Sequence, residues 1–376
     1  MPSRAYSQRM LSSAALLAAS ALLLTACTST EVLTDPRASA PVDTGASGMP
    51  SGEYDVIATN LDAPWSVVPL DGGALLSLRD AAQIVHLTAS GATDVIATVD
   101  QAAPGGEGGL LGLALHDDGD DAWLYAYVTT ASDNRILRYP VTGLPDDPQL
   151  GASTAVLTGI PKASIHNGGR LAFGPDGMLY ATTGDATGGE NAQDVDSLAG
   201  KILRMTPDGG VPDDNPIDGS LVYSLGHRNP QGLAWTDDGT LWASEFGQNT
   251  WDELNAIEPG ANYGWPTVEG IADDDRFVDP VLQWSTAEAS PSGLAAIGDT
   301  LYMAGLGGER LWVIATESDA PTASAFFVGE FGRVRDAVAT ASGSLWLLTN
   351  NTDGRGNPGA DDDRLIEVRI NASGSG

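Results

Sequence analysis

Six segments of the chain share one pattern of polar and hydrophobic positions. Each begins with a turn rich in Gly and Asp and continues into an apolar strand, which in most copies carries an aromatic residue. Successive copies are roughly 45 to 60 residues apart, close to the length of a four-stranded propeller blade with its loops. The six copies are residues 70–76, 118–127, 175–181, 238–243, 298–303 and 342–347.

These repeats predict an all-β protein, a six-bladed β-propeller of four-stranded blades over residues 51–372. The Asp-Gly turns supply the positive φ that tight hairpins require, and alternating large and small side chains suit strands buried between neighbouring blades. No convincing helical period follows residue 50, and a pair of β-sandwiches is the weaker alternative. Because a propeller closes as one unit, we predict no domain boundary within 51–372 and a short tail over 373–376.

The first residues of the chain have a different pattern. Arg4 and Arg9 precede an apolar run from Leu11 to Leu24, which is too short to be a stable bilayer anchor. Small residues then lead to Cys27, the only cysteine of the chain. This arrangement predicts a bacterial lipoprotein signal over residues 1–26 and acylation of the Cys27 thiol. The alternative is an ordinary secretory signal followed by an incidental cysteine.

Residues 27–50 are rich in Thr, Ser, Pro, Ala and Gly, which predicts a flexible tether. We therefore expect an exported protein, held by the lipid on Cys27 at the outer face of the bacterial cell membrane. The chain has 50 acidic and 18 basic residues and a net charge of −32. A surface of that charge repels phosphate backbones, so nucleic acid is not an expected partner.

A candidate catalytic residue precedes the third repeat. His166 lies among glycines in the segment 164–170, where backbone and ligand can approach each other closely. Histidine is the side chain that most often removes a hydroxyl proton near neutral pH. Asp185 ends the following strand and is a candidate to orient the imidazole. The alternative is a turn histidine with structural hydrogen bonds only.

Two further glycine-bounded segments, 226–232 and 332–336, carry arginines in a chain with few basic residues. Arg228, Arg333 and Arg335 could bind carboxylates bidentately, which favours a polyanionic ligand in the channel. On local sequence, the alternative is equally good: each arginine neutralises a nearby carboxylate.

A fourth group, residues 245–248, 252–253 and 260–266, combines carboxylates with loop carbonyls, which can form an oxygen cage for Ca²⁺. No histidine–cysteine grouping suggests zinc or a redox metal. The run 361–363 is better interpreted as a solvated turn than as a metal site. There is no Gly-rich strand-to-helix motif for a nicotinamide cofactor and no Gly-x-Ser-x-Gly elbow.

In their order and spacing, these segments resemble the glucose/sorbosone dehydrogenase family, the soluble aldose dehydrogenases that use pyrroloquinoline quinone (PQQ). The resemblance covers nearly the whole domain and implies a six-bladed propeller. Each match is weak alone, and their common order makes the resemblance strong. The matching segments are 63–65, 107–112, 166–171, 200–204, 226–230, 252–253, 262–266, 291–293 and 332–336.

The resemblance also implies roles for individual residues. His166 matches the general base that takes the proton of the anomeric hydroxyl, and Asp185 matches its supporting carboxylate. The carbonyls of Gly247 and Gln248 match ligands of the calcium ion that polarises the quinone. Glu253 and Tyr263 match a second, structural calcium site. Positions that match cofactor contacts are Glu107, Arg228, Asn229, Arg333 and Arg335.

The implied reaction oxidises an aldose at its anomeric carbon to a lactone, with hydride passing to the quinone and electrons to an external acceptor. Three positions depart from the family's pattern. Glu107 replaces a usual glutamine, Gln248 a usual proline, and Gly307 a frequent lysine or arginine. The alternative is therefore a non-enzymatic cell-surface propeller that binds sugar or protein and has lost PQQ. A lactone hydrolase is a third possibility, although the clustered Asn and Asp ligands expected for it are missing from the sequence.

Overall fold

The computed structural model of the protein describes residues 48–117, 119, 121–317 and 320–371. Cys27 and the predicted signal lie outside these residues. The described part belongs to one compact unit, Ser39–Gly376. It contains β-strands and one four-residue 3₁₀ helix, Gly189–Ala192, and it includes no helix that is both long and apolar enough to cross a membrane.

The strands, numbered along the chain, form six antiparallel sheets, which we call blades I to VI. The first strand is β1 (Pro50–Ala58). Blade I contains β2 (Pro64–Leu70), β3 (Gly73–Leu78), β4 (Gln83–Leu87) and β5 (Thr93–Thr98). Blade II contains β6 (Leu110–Asp117), β7 (Ala122–Thr129), β8 (Asn134–Thr142), β9 (Gln149–Leu150) and β10 (Thr154–Ile160). Blade III contains β11 (Leu171–Phe173), β12 (Leu179–Thr183), β13 (Lys201–Met205) and β14 (Val222–Leu225).

The remaining blades follow the same order. Blade IV contains β15 (Pro230–Trp235), β16 (Leu241–Glu245), β17 (Trp251–Ile257) and β18 (Leu282–Ser285). Blade V contains β19 (Pro291–Ile297), β20 (Thr300–Gly305), β21 (Arg310–Ala315) and β22 (Thr322–Phe326). Blade VI contains β23 (Val334–Ala339), β24 (Leu345–Thr349) and β25 (Leu365–Ile370), and β1 is its fourth strand.

The first sheet strand of each blade lies at the centre of the molecule. Strands β2, β6, β11, β15, β19 and β23 contact one another in that order, and β23 contacts β2 again. The sheets therefore close into a ring around a central channel, which confirms the predicted six-bladed propeller. Blade II departs from the four-stranded plan only by the short β9, which pairs with β8.

The six sequence repeats form the second strand of each blade, from β3 in blade I to β24 in blade VI. The glycine of every repeat turn has a positive φ, between 60° and 89°, as the turn chemistry predicts. Strands β3, β12 and β16 are buried along their whole length because each blade packs between two others.

Strand β1 closes the ring, because it pairs with β25 at the outer edge of blade VI. Residues from the beginning and end of the described chain thus share one sheet, and the pairing covers an edge that would otherwise be open. Tyr54 of β1 packs edge-on against Phe331, with ring centroids 4.9 Å apart. The backbone N–H of Gly48 donates to the Asn371 carbonyl at 3.1 Å, so contact with the propeller begins before residue 51.

A buried ion pair lies across the channel. Nη1 of Arg170 is 2.8 Å from Oδ2 of Asp336, and the guanidinium lies 4.5 Å from the ring centre of Trp65. On one side of this pair is a largely apolar cavity of about 540 Å³, lined by all six inner strands. On the other side, the loops that leave the strands bring together the predicted site residues.

Candidate active site

Two loops of blade III bring His166 and Asp185 together. His166 lies between β10 and β11 and has a positive φ of 59°, and Asp185 follows β12. Gly184 lies against the backbone of His166: a Cβ at Gly184 would be 2.0 Å from the His166 carbonyl oxygen. Only glycine permits this approach, so Gly184 lets the two functional loops meet.

His166 is held between a carboxylate and a guanidinium. Its Nδ1 lies 2.8 Å from Oδ1 of Asp185, and its Nε2 lies 2.8 Å from Nη2 of Arg228. The His166 side chain is 13% exposed and that of Asp185 only 2%. The structure thus brings three of the sequence-predicted site residues into direct contact.

Asp185 has two further donors. The Trp265 indole N–H donates to Oδ2 at 2.9 Å, and the Thr187 backbone N–H donates to Oδ1 at 2.7 Å. Burial alone would raise the pKa of the Asp185 carboxyl, but the hydrogen bonds from the imidazole, the indole and the backbone hold that pKa below its usual range. Because an ionised carboxylate only accepts hydrogen bonds, Nδ1 of His166 carries the proton and Nε2 presents its lone pair.

A second histidine supports the loop that carries Arg228. His227 is fully buried, with Nδ1 2.8 Å from Oε2 of Glu245 and its ring stacked on Tyr263. The other Glu245 oxygen accepts hydrogen bonds from the backbone N–H groups of Arg228 and Asn229. Oδ1 of Asn229 in turn accepts a hydrogen bond from the Gly168 N–H at 3.0 Å. The His227–Glu245 pair therefore fixes the backbone of Arg228 and Asn229.

Next to His166 is a polar cavity of about 140 Å³, which we call the arginine cavity. It adjoins the histidine through Glu107, whose Oε2 accepts the His166 backbone N–H at 3.0 Å. The lining includes residues from several blades, as expected for a site on propeller loops. The lining residues are Trp65, Arg79, Glu107, Gln231, Phe246, Ser290, Leu306, Arg333, Arg335 and Arg355.

The arginines of this cavity have different partners. Arg79 pairs with Asp80 at 2.7 Å, and Arg333 pairs with Asp353 at 3.2 Å. Arg335 donates hydrogen bonds to neutral oxygens, including Oδ1 of Asn350 at 3.0 Å, and its Nη2 lies 3.9 Å from Oδ2 of Asp353.

Burial and the neighbouring charge of Arg79 lower the pKa of Arg335 to about 9. Burial also lowers the pKa of Arg228, and its buried Nε has no hydrogen-bond partner in the described chain. A bound anion would therefore stabilise the charged form of both guanidinium groups and could accept hydrogen bonds from them.

Backbone N–H groups in the loop after β16 are held by carboxylates. The Gly247 N–H donates to Oδ1 of Asp252 at 2.9 Å, and the Gln248 N–H donates to Oε1 of Glu269 at 2.7 Å. The carbonyl oxygens of Gly247 and Gln248 accept no hydrogen bond from the part of the chain that the structure describes. No group of three or more His, Cys, Asp or Glu side chains with metal-site geometry occurs in that part. Any cation here would therefore depend largely on carbonyl ligands.

Glu253 and Tyr263 lie further inside. Oε1 of Glu253 accepts the Gly270 N–H at 2.7 Å, and burial together with the neighbouring Glu245 carboxylate raises the pKa of Glu253 to about 8. The Tyr263 hydroxyl donates to the Ala256 carbonyl at 2.6 Å. The predicted second calcium site at these residues stays a prediction.

The sequence model of the family described as Glucose / Sorbosone dehydrogenase matches residues 61–358. The chain belongs to this family.

Two named relatives and one solved structure that resemble this chain are sugar dehydrogenases. The chain is 34% identical to quinoprotein glucose dehydrogenase B of Acinetobacter calcoaceticus over 260 residues, which is 59% of this chain but only 54% of that protein. It is 30% identical to aldose sugar dehydrogenase YliI of Escherichia coli K12 over 340 residues, 80% of this chain and 90% of the relative. The solved PQQ-bound aldose sugar dehydrogenase of Streptomyces coelicolor is 51% identical, with a TM-score of 0.81, and the match covers 86% of this chain and all of that one.

Of the three departures from the family's pattern, Gln248 lies in the loop after β16, and the other two concern the arginine cavity. Glu107 lines the arginine cavity and pairs with Arg355, with Oε1 and Nη1 3.1 Å apart. Gly307 follows the lining residue Leu306, and an added Cβ there would be 2.4 Å from Oγ of Ser290. A longer side chain at Gly307 would therefore require the Ser290 side chain to move.

Sequence reasoning missed two arginines of the site, Arg79 and Arg355. Arg355 stands between Gly354 and Gly356, so the criterion that selected the other glycine-bounded arginines would also have found it. Arg79 directly follows β3 without a flanking glycine, and nothing in its local sequence marks it. Trp265 was part of a matching segment, but its hydrogen bond to Asp185 is visible only in the folded chain.

Proposed function

We propose that the chain is a PQQ-dependent aldose dehydrogenase that oxidises its substrate at the anomeric carbon to a lactone, with His166 as general base. Family membership and the quinoprotein and PQQ-bound relatives support PQQ-dependent sugar oxidation. The observation that carries the assignment is His166, oriented by Asp185 beside the arginine cavity.

The residues present fit a polycarboxylated quinone. Arg333 and Arg335 line the cavity, and their forked donors match carboxylate geometry. The buried Nε of Arg228 has no hydrogen-bond partner among the described residues, and Arg79 adds a further cation that sequence reasoning missed. These arginines, with Asn229, would hold the cofactor. When bound, PQQ supplies the acceptor for the hydride and its two electrons.

The protein's own residues would control the proton. Asp185 keeps the proton of His166 on Nδ1, so Nε2 can accept the proton of the anomeric hydroxyl. Nη2 of Arg228 donates to the same Nε2, so the hydroxyl must take the place of the guanidinium before transfer. As the C1 hydride leaves and the proton moves to Nε2, the carbon becomes the carbonyl carbon of the lactone. The Asp185 carboxylate would stabilise the resulting imidazolium.

We also propose that Ca²⁺ binds at the carbonyls of Gly247 and Gln248. Hard oxygen ligands suit this ion, and the N–H groups of the same loop are already held by Asp252 and Glu269. Removing the ion with a chelator should abolish sugar oxidation, and added Ca²⁺, but not Zn²⁺, should restore it. Full activity in the chelator would contradict the calcium site.

The function is tested by dye reduction with purified protein, PQQ, Ca²⁺ and a panel of aldoses. The His166→Gln variant runs in parallel with His116→Gln, a matched control in blade II whose ring stacks on Phe173 of blade III. Sugar-dependent reduction that requires PQQ and disappears only in His166→Gln would support the enzyme and its base. If wild-type protein neither binds PQQ nor reduces the dye, the binding-propeller alternative, which the carboxylate of Glu107 in the cavity favours, would lead.

We further propose that the protein is exported and anchored by lipid on Cys27 at the outer face of the bacterial membrane, with an external electron acceptor. The support is the sequence pattern before Cys27. Metabolic labelling with a radioactive fatty acid should mark the wild-type chain and not a Cys27→Ser variant. Equal labelling of both would remove the anchor from the proposal.

A further inference from the structure

We infer that Arg355 is a cofactor-binding residue, which exchanges its ion pair with Glu107 for a carboxylate of PQQ. This inference rests on the proposed function and extends it to a residue outside the predicted cofactor contacts. It starts from a contrast between Arg355 and the other arginines of the same cavity.

Those other arginines are fixed in place. The Arg79 side chain is buried and paired with Asp80, and Arg333 and Arg335 are buried against the loop after β24. Arg355 is 46% exposed, and the ion pair found for its guanidinium among the described residues is the one with Glu107. Arg355 is therefore the arginine of this cavity whose side chain can change partner at little cost.

Glu107 is the fixed member of the pair. Its Oε2 accepts the His166 backbone N–H, while Oε1 faces Nη1 of Arg355. Half-exposed ion pairs contribute little to stability, because solvent screens the charges and the long side chain loses freedom. A ligand carboxylate can bind the guanidinium bidentately, so an exchange of partners is favourable. Arg355 then moves, and Glu107 stays with His166.

The charges that line the cavity favour this exchange of partners. Of the cationic lining residues, Arg79 and Arg333 are already paired with Asp80 and Asp353. Position 307 supplies no cation, because glycine has no side chain. Glu107 adds a negative charge beside an entering tricarboxylate, and the exposed Arg355 adds a cation to Arg228 and Arg335 that offsets this charge.

The competing explanation is that Arg355 only neutralises Glu107. The two explanations predict different PQQ affinities in a protein whose Glu107 has been replaced by an uncharged glutamine. If Arg355 is only a counter-ion, its removal from Glu107→Gln protein has no effect on PQQ affinity. If Arg355 binds the cofactor, the same removal weakens binding with or without Glu107.

The experiment measures PQQ binding by quenching of tryptophan fluorescence, at low and high salt, so that activity is not the readout. The proteins are wild type, Arg355→Met, Glu107→Gln and the double variant. Arg369→Met is the matched control. Arg369 lies on β25 and pairs with Glu53 and Asp55 of β1 at the outer edge of blade VI, so its removal breaks an exposed ion pair that is not part of the arginine cavity. Thermal melts without PQQ check that each protein is folded.

We expect Arg355→Met to raise the Kd of PQQ about 10- to 100-fold in both backgrounds, the usual effect of losing a charged hydrogen-bond donor. Glu107→Gln alone should bind as tightly as wild type or tighter, and Arg369→Met should match wild type. An unchanged Kd in Arg355→Met would overturn this inference and leave the proposed function standing. The same holds if Arg355→Met raises the Kd in wild-type protein but not in Glu107→Gln protein. A wild-type protein without any PQQ signal would overturn the proposed function together with it.

Discussion

Nη2 of Arg228 lies 2.8 Å from Nε2 of His166, so the atom proposed to take the substrate proton already accepts a hydrogen bond from a cation. The opposite ring nitrogen donates to Asp185, which sets the tautomer. The guanidinium therefore occupies the position that a sugar hydroxyl must enter. Cofactor and substrate would have to draw Arg228 away from His166 before the proton can move.

The tautomer argument predicts a loss of kcat in each of two variants. His166→Gln removes the base and should lower kcat by about 10²- to 10⁴-fold. Asp185→Asn places an amide beside Nδ1, which can donate to it and favours the wrong tautomer, so kcat should fall by at least about 10²-fold. Steady-state kinetics at saturating PQQ measure both. An Asp185→Asn enzyme with wild-type kcat would show that the carboxylate does not set the tautomer.

The close approach at Gly184 predicts a steric effect on the site. Gly184→Ala would place a Cβ 2.0 Å from the His166 carbonyl oxygen, so the two loops must separate. We expect a loss of about 1–3 kcal/mol in the free energy of unfolding and a larger fractional loss of kcat. The matched control is Gly105→Ala in a nearby loop, where an added Cβ meets nothing within 4 Å. Equal behaviour of the two variants in urea unfolding and kinetics would contradict this prediction.

The low pKa of Asp185 predicts how stability depends on pH. Its carboxyl binds a proton less readily in the folded chain than in the unfolded chain. The stabilisation is therefore complete above the unfolded pKa, near 4, and is lost as the pH falls through the folded value. The difference in unfolding free energy between wild type and Asp185→Asn should be largest near pH 6 and shrink below pH 4. Urea unfolding of both proteins across this range measures it, and a difference that grows on acidification would reverse the assigned sign.

The ion pair across the channel predicts a large stability loss. Asp336→Leu leaves the Arg170 guanidinium buried without its carboxylate and should cost about 3–5 kcal/mol. Replacing both residues, as Arg170→Met with Asp336→Leu, should cost less than the single change because no unpaired charge remains. Asp208→Asn, which breaks the surface pair with Arg138, should cost at most about 1 kcal/mol. Chemical denaturation measures the free energy of unfolding of the three variants and of wild type, and so ranks the three losses.

Ring closure by β1 predicts a position-dependent effect of truncation. A chain that begins at residue 48 keeps β1, and a chain that begins at residue 60 exposes the edge of β25. The shorter protein loses five paired positions and the packing of Tyr54 on Phe331, on the order of 5 kcal/mol. It should melt at a lower temperature and associate through the open edge. Equal melting temperatures would mean that β1 does not hold the ring closed.

The sequence by itself determined the number and spacing of the blades. This was possible because a blade is a local unit: turn glycines such as Gly177 and Gly239 and the strands after them lie close together in the chain. Turn chemistry and burial on both faces of a strand leave a readable pattern at each repeat. Short glycine-bounded segments also marked the proposed catalytic histidine and two of the cavity arginines, and the resemblance to the family implied their roles.

Tertiary structure alone decided which of these residues meet. His166 and Arg228 are 62 residues apart, and their 2.8 Å contact depends on how blades III and IV pack. The pairing of β1 with β25, and the contact of Glu107 with Arg355, both require that the ring is closed. Closure is a long-range geometric condition, which no local pattern of side chains records. The sequence therefore predicted the parts of the site, and the folded ring set their distances, partners and charge states.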